Sequence, residues 1–170
     1  ALATRGVPAA NHYASVAPAA PHALHMPSHI YSMLGMWEES IKANKESLAV
    51  FKSYAHAIDF NVYAHLQMGQ DREAQRLLET SAALQQSGPA ANRSPTGSVF
   101  PSYTAYAAIP ARYAIERSAW ADAAALGLRP TTPAADAITH FTRAMGFAKL
   151  RDTANARKEI DALQKLREEL

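Results

Sequence analysis

Two glycines set the frame of this chain: Gly35 and Gly69 stand 34 residues apart, and each divides a pair of helix-like segments. Before Gly35, residues 21–34 place Leu24, Tyr31 and Leu34 on one side at helical spacing. His22, His25 and His29, three and four apart, share another side. After it, Trp37 opens a pattern over residues 38–54 in which Ile41, Leu48 and Phe51 recur around the polar Lys42, Lys45 and Glu46. The same order returns around Gly69, with one segment over residues 57–68 and a second over 71–86. A chain that repeats a helical hairpin at such a period buries its apolar faces between successive hairpins rather than around one centre.

The second helix of each hairpin opens with a small residue, which lets two helices approach closely. Ser40 lies five residues after Gly35, and Ala74 lies five after Gly69. A third hairpin is expected over residues 103–128, where Trp120 and Ala123 follow Arg117 and Ser118 much as Trp37 and Ser40 follow Leu34 and Gly35. A fourth runs over residues 134–170, with Phe147 and Leu150 before Asp152 and then Ala156, Ile160 and Leu163. Ser118 and Asp152 stand near the turn positions that glycine holds in the first two hairpins.

On these residues the chain resembles tetratricopeptide repeat proteins, and the run PHALHMPSHIY followed by LG-x-W is similar to a motif of bacterial proteins of that kind. The resemblance implies an all-α, right-handed solenoid of about four antiparallel hairpins in a single domain spanning residues 1–170. Its expected parts are a lead-in helix (1–20), a first repeat (21–54), a second (55–87), a loop (88–101), a degenerate third repeat (102–133) and a fourth (134–170). In such arrays the first helices line a concave groove that holds a protein or peptide segment. By that alignment His22, His25, His29 and Met33 face the groove from the first unit, His56, Asp59 and Tyr63 from the second, and Arg112 and Glu116 from the third. Such a wall offers donors to a peptide backbone or a carboxylate.

Composition agrees with helices packed through small residues. Hydrophobic residues make up 48% of the chain but aromatics only 8%, so alanine carries much of the apolar content and favours helix. A net charge of +2, from 17 basic and 15 acidic residues, is too small and too interspersed for a nucleic-acid or membrane surface. Cysteine is absent, which excludes disulfides and thiolate chemistry. No apolar run approaches the roughly 18 to 20 residues needed to span a bilayer. There is no Lys/Arg-led signal segment and no initiator methionine, so Ala1 is expected to begin a piece of a longer protein, cytoplasmic or periplasmic in a bacterium. Exposed repeat ends would then be open to self-association.

Local features carry further expectations. Pro8 suits the first turn of a short helix through Val16, read either as an ordered lead-in packing on the first hairpin or as the second helix of a hairpin whose first lies upstream. Pro27 should kink the first helix or start it anew. Residues 87–101, rich in Pro, Gly, Ser and Asn, should be non-helical, with Val99 and Phe100 tucked back, and Thr131 or Thr132 should cap the helix after Pro133. The last helix, with Lys158, Glu159, Lys165, Arg167 and Glu168, reads as a solvated face, whereas Trp37 and Trp120 read as packing residues.

No nucleophile elbow, phosphate-binding glycine loop or spaced carboxylate pair is present, so no catalytic residue and no cofactor is expected. The functional expectation is a binding module or scaffold that takes a protein or peptide in its groove. The alternative is a metal-binding protein using His22, His25 and His29, since two imidazoles four apart on a helix can bind one ion; a further reading of the same histidines is structural, with their rings hydrogen-bonded to backbone or neighbouring helices. A helical zinc hydrolase would carry a glutamate beside its first histidine; here Met26 follows His25.

Overall fold

The computed structural model describes residues 2–87, 103–128 and 132–168, and all regular structure among them is α-helical. The chain divides after residue 102 into two compact units. The first contains α1 (Leu2–Arg5), α2 (Val7–Val16), α3 (Pro21–His25), α4 (Pro27–Met33), α5 (Trp37–Val50), α6 (Ala55–Gln67) and α7 (Asp71–Gln86). The second contains α8 (Tyr103–Glu116), α9 (Trp120–Ala124), α10 (Pro133–Lys149) and α11 (Thr153–Glu168). In the first unit packing follows chain order: α2 lies on α3 and α4, these lie on α5, α5 on α6, and α6 on α7. In the second, α8 and α9 pack on each other and both on α10, whose other main neighbour is α11.

Four hairpin turns in the two units share one geometry. A residue in left-handed conformation stands at each: Gly35 (φ 72°), Gly69 (φ 67°), Ser118 (φ 54°) and Arg151 (φ 64°). The amide one residue later reaches back to a carbonyl in the preceding helix, from Met36 to Tyr31, Gln70 to His65, Ala119 to Ala114 and Asp152 to Phe147, each at 2.9 Å. These are Schellman closures, which satisfy carbonyls the helix end would otherwise leave without donors. The next helix then begins two residues after the turn residue, at Trp37, Asp71, Trp120 or Thr153. Five residues after it comes the small residue, and Ser40, Ala74, Ala123 and Ala156 are all buried. The one slip from expectation is at the fourth turn, where Arg151 rather than Asp152 takes the left-handed position. Asp152 has a different task, because its carboxylate accepts the Asn155 amide at 3.1 Å and so caps α11.

The interface of α5 with α3 and α4 is polar to an unusual degree. Ser40, Asn44 and Ser47 recur at helical spacing on α5 and are fully buried. Each has a partner: the Ser32 and Ser40 hydroxyls meet at 3.0 Å, Asn44 Nδ2 donates to the Ser40 carbonyl at 2.8 Å, and Ser47 donates to the Pro21 carbonyl at 2.7 Å. Small side chains let the helices lie close, and hydrogen bonding removes the penalty of burying them. Pro27, which has no amide proton, divides the first helix into α3 and α4; Met26 between them keeps helical angles (φ −51°, ψ −37°), so the break is a kink. His22 and His25 therefore lie on a short helix of their own and not in a loop.

Pro8 sits in the first turn of α2, and Thr132 accepts the Ala135 amide at 3.3 Å as the cap of α10. Residues 2–5, which have no sequence pattern, also form a helical turn. Trp37 and Trp120 are half-buried. The loop of residues 88–101, with Val99 and Phe100, lies outside the described residues. One expectation about α11 is corrected: Glu159 is not part of a solvated face. It is 7% exposed, accepting from Arg143 Nε at 2.8 Å and facing His140 Nδ1 at 2.6 Å. The helical period turns Glu159 toward α10, three residues on from buried Ala156, and Arg143 makes the buried carboxylate tolerable.

Candidate functional site

Imidazoles converge where α3, α4 and α6 meet. His25 ends α3 and is completely buried, His29 is half-buried on α4, and His56 is half-buried in the first turn of α6. One ring nitrogen from each lies within 4.8 Å of the other two. The closest pair is His25 Nε2 and His29 Nε2 at 3.0 Å. Phe60, one helical turn after His56, touches all three rings, with centroids 5.0 Å from His25, 4.4 Å from His29 and 5.1 Å from His56. The Tyr54 ring stands edge-on to His25 at 5.6 Å.

Hydrogen bonding fixes the proton positions from the α5 side. Asn44 gives its Nδ2 to the Ser40 carbonyl, so its Oδ1 is the atom that meets His25 Nδ1 at 2.7 Å. An acceptor there requires the proton on Nδ1, which leaves a lone pair on Nε2. His29 Nε2 then donates to that lone pair. Ser28 Oγ, at 3.3 Å, is a second, longer neighbour of His25 Nδ1.

Electrostatics keep His25 and His29 neutral. Burial drives the His25 pKa down to about 3 against the support of Asn44, and the proximity of His56, His29 and His22 lowers it further. Burial, followed by the charge of His22, lowers His29 as well. Burial raises the pKa of the Tyr54 phenol, which therefore remains a hydroxyl beside His22 at neutral pH.

The residues expected in the groove have divergent fates. His22, on the exposed side of α3, pairs through Nδ1 with the Tyr54 hydroxyl at 2.9 Å, and its ring centre is 6.5 Å from that of His25. Met33 ends α4 and is 72% exposed. Tyr63 is half-buried with its ring edge-on to Trp37 at 5.5 Å. Asp59 is 5% exposed, so like His25 it offers little surface to a partner. Arg112 and Glu116 belong to α8 of the second unit, one half-buried and the other exposed. Three residues of the cluster escaped sequence reading: Asn44, Tyr54 and Phe60. Asn44 was detectable as a polar residue four after Ser40, on the stripe that carries Ile41, Leu48 and Phe51. Phe60 was detectable as the residue four after His56.

No family model, no curated protein and no solved structure matches this chain.

Proposed function

We propose that the chain is a tetratricopeptide-type array of helical hairpins, a right-handed solenoid, that binds a segment of another protein on the face carrying α4 and α6. The observation behind this reading is a set of partly uncovered side chains on those two helices and at the start of α5. His29 and Phe60 stand 4.4 Å apart, Trp37 packs on Tyr63, and Met33 projects at one end. Rigid rings with apolar bodies and polar edges are the groups that anchor peptide segments, because they lose little conformational entropy on binding. Four turns of one geometry, each followed by a buried small residue five positions on, support the repeat reading. The function is recognition, with His22, His29, Met33, His56 and Tyr63 as contacts.

Site-specific photo-crosslinking in the native host tests the reading. A crosslinking residue at Met33 or Tyr63 is expected to capture one recurrent protein segment, identified by mass spectrometry. The same residue at Glu79, exposed on α7, is the control and should not capture it. Equal capture from Glu79, or none from either test position, would remove α4 and α6 as the binding face.

A further inference from the structure

The three convergent imidazoles have a use that partner recognition does not need. His25 is closed to any partner by its burial, yet its Nε2 lone pair meets Nε2 of His29 at 3.0 Å, and one ring nitrogen of His56 lies within 4.8 Å of both rings' ligand nitrogens. We propose that His25, His29 and His56 form a binding site for a borderline divalent transition-metal ion, with zinc as the reference occupant and one ion per chain.

Distances carry the first part of the argument. Imidazole nitrogens bind zinc at about 2.0–2.1 Å, so two nitrogens on a tetrahedral ion stand about 3.3 Å apart. The observed separations run from 3.0 Å to at most 4.8 Å. An ion would open the closest pair by a few tenths of an ångström and close the widest by at most about 1.5 Å, a movement within reach of side-chain rotation. The three rings already face one another, with centroids 4.6 Å (His25 and His56), 4.9 Å (His25 and His29) and 5.4 Å (His29 and His56) apart.

The surroundings carry the second part. A ligating histidine ordinarily gives its other ring N–H to a carbonyl or carboxylate, which holds the ring and increases its basicity. His25 has that arrangement in Asn44 Oδ1, and Asn44 is itself held by the Ser40 carbonyl. Phe60 and Tyr54 form an apolar rim that limits water. The donor set selects the ion: three neutral nitrogens suit zinc, cobalt, nickel or copper(II), whereas calcium and magnesium take oxygen ligands. Three protein donors leave a fourth tetrahedral position to water. His29 must change tautomer, moving its proton from Nε2 to Nδ1 so that Nε2 can ligate. That exchange between neutral forms requires no net gain or loss of charge.

His22 is the internal control. Sequence spacing groups it with His25 and His29, but the structure pairs it with Tyr54, and His56 from α6 completes the set. The ligands thus come from three helices and two successive hairpins, so the site exists only in the folded chain.

The test uses the whole chain alone, stripped with chelator, so its outcome is independent of whether a protein partner binds. Cobalt(II) titration should give a tetrahedral absorption spectrum saturating at one ion per chain, and zinc should displace it and raise the melting temperature. X-ray absorption on the zinc-loaded wild type should show a shell of three imidazoles. His29→Ala and His56→Ala should each weaken binding by more than about 100-fold, beyond the 10- to 100-fold typical of losing an outer-shell partner. His22→Ala should bind as the wild type does. Should either ligand variant fail to fold, the wild-type stoichiometry and imidazole shell decide the matter without it. Absence of a saturable site in the wild type overturns the proposal, as does wild-type affinity in both ligand variants or a loss in His22→Ala equal to theirs.

Discussion

At the scale of single residues, the four turns make a quantitative comparison. Gly35 and Gly69 hold left-handed conformations that glycine adopts without strain, whereas Ser118 and Arg151 hold the same conformation with a Cβ, at a cost of about 1–2 kcal/mol each. Both are exposed, so glycine there should remove strain without loss of contacts. Ser118→Gly and Arg151→Gly should each stabilise by about 0.5–1 kcal/mol, less than the full strain because glycine also loosens the unfolded chain. Chemical denaturation measures this, and a loss of stability in both would show that the side chains hold the turns. Gly35→Val and Gly69→Val should destabilise by about 1 kcal/mol or more. Space is not the reason, since a Cβ at Gly69 meets nothing within 4 Å. These glycines were legible in the sequence because the residue type announces the conformation. The position of Arg151 was not, because an arginine carries no such signal and only its spacing to Ala156 marks it. Likewise the spacing of His25 and His29 was legible, but the choice of His56 over His22 as third member depends on how α6 meets α3 and α4, which no local pattern encodes.

At the scale of elements, periodicity identified the hairpins, while close helix contacts depend on particular small residues. Gly146, in the last turn of α10, is the clearest. A Cβ added there would come within 2.5 Å of the Ala124 amide nitrogen and 2.8 Å of the Trp120 carbonyl oxygen. Both are backbone atoms of α9 and cannot swing aside. Gly146→Ala should therefore destabilise the second unit by about 1–3 kcal/mol, although alanine alone would favour helix by about 1 kcal/mol. Gly127→Ala is the matched control, because a Cβ there meets nothing within 4 Å. Thermal melts of the two variants compare them directly, and an equal effect from both would contradict the close approach of α9 and α10. Sequence reading did not single out Gly146, since a glycine inside a helical pattern has no marker for what lies opposite. Glu159 misled it for a related reason: a carboxylate in a charged run looks solvated until its helix is placed beside Arg143 and His140.

At the scale of the whole chain, the two units store their pH sensitivity in opposite kinds of group. In the first, burial lowers the pKa of His25 to about 3 and lowers those of His29 and His65. Such rings are neutral when folded but accept protons near pH 6.5 once unfolded. Acid therefore favours the unfolded state from about pH 6.5 downward, and His25 alone removes up to about 1.4 kcal/mol for each pH unit in which only its unfolded form is protonated. In the second unit Glu159 has the contrary role. Burial would raise its pKa, but hydrogen bonds from Arg143 and His140 outweigh burial and hold it below the usual glutamate range. Its stabilising share is complete above the ordinary glutamate pKa and is lost as pH falls through the lowered value. The first unit should therefore begin to weaken at higher pH than the second. The chain supplies the reporters, because its two tryptophans are divided between the units, Trp37 in the first and Trp120 in the second. Trp120→Phe leaves the fluorescence of Trp37 to follow the first unit, and Trp37→Phe leaves Trp120 to follow the second. With chelator present, so that no ion competes with protons for the imidazoles, acid titration should move the Trp37 signal first, on the way from pH 6.5 toward 4, and the Trp120 signal later. Coincident transitions in the two variants would mean that the buried histidines do not set the acid limit of the first unit. A reversed order would place that limit on Glu159 and its partners.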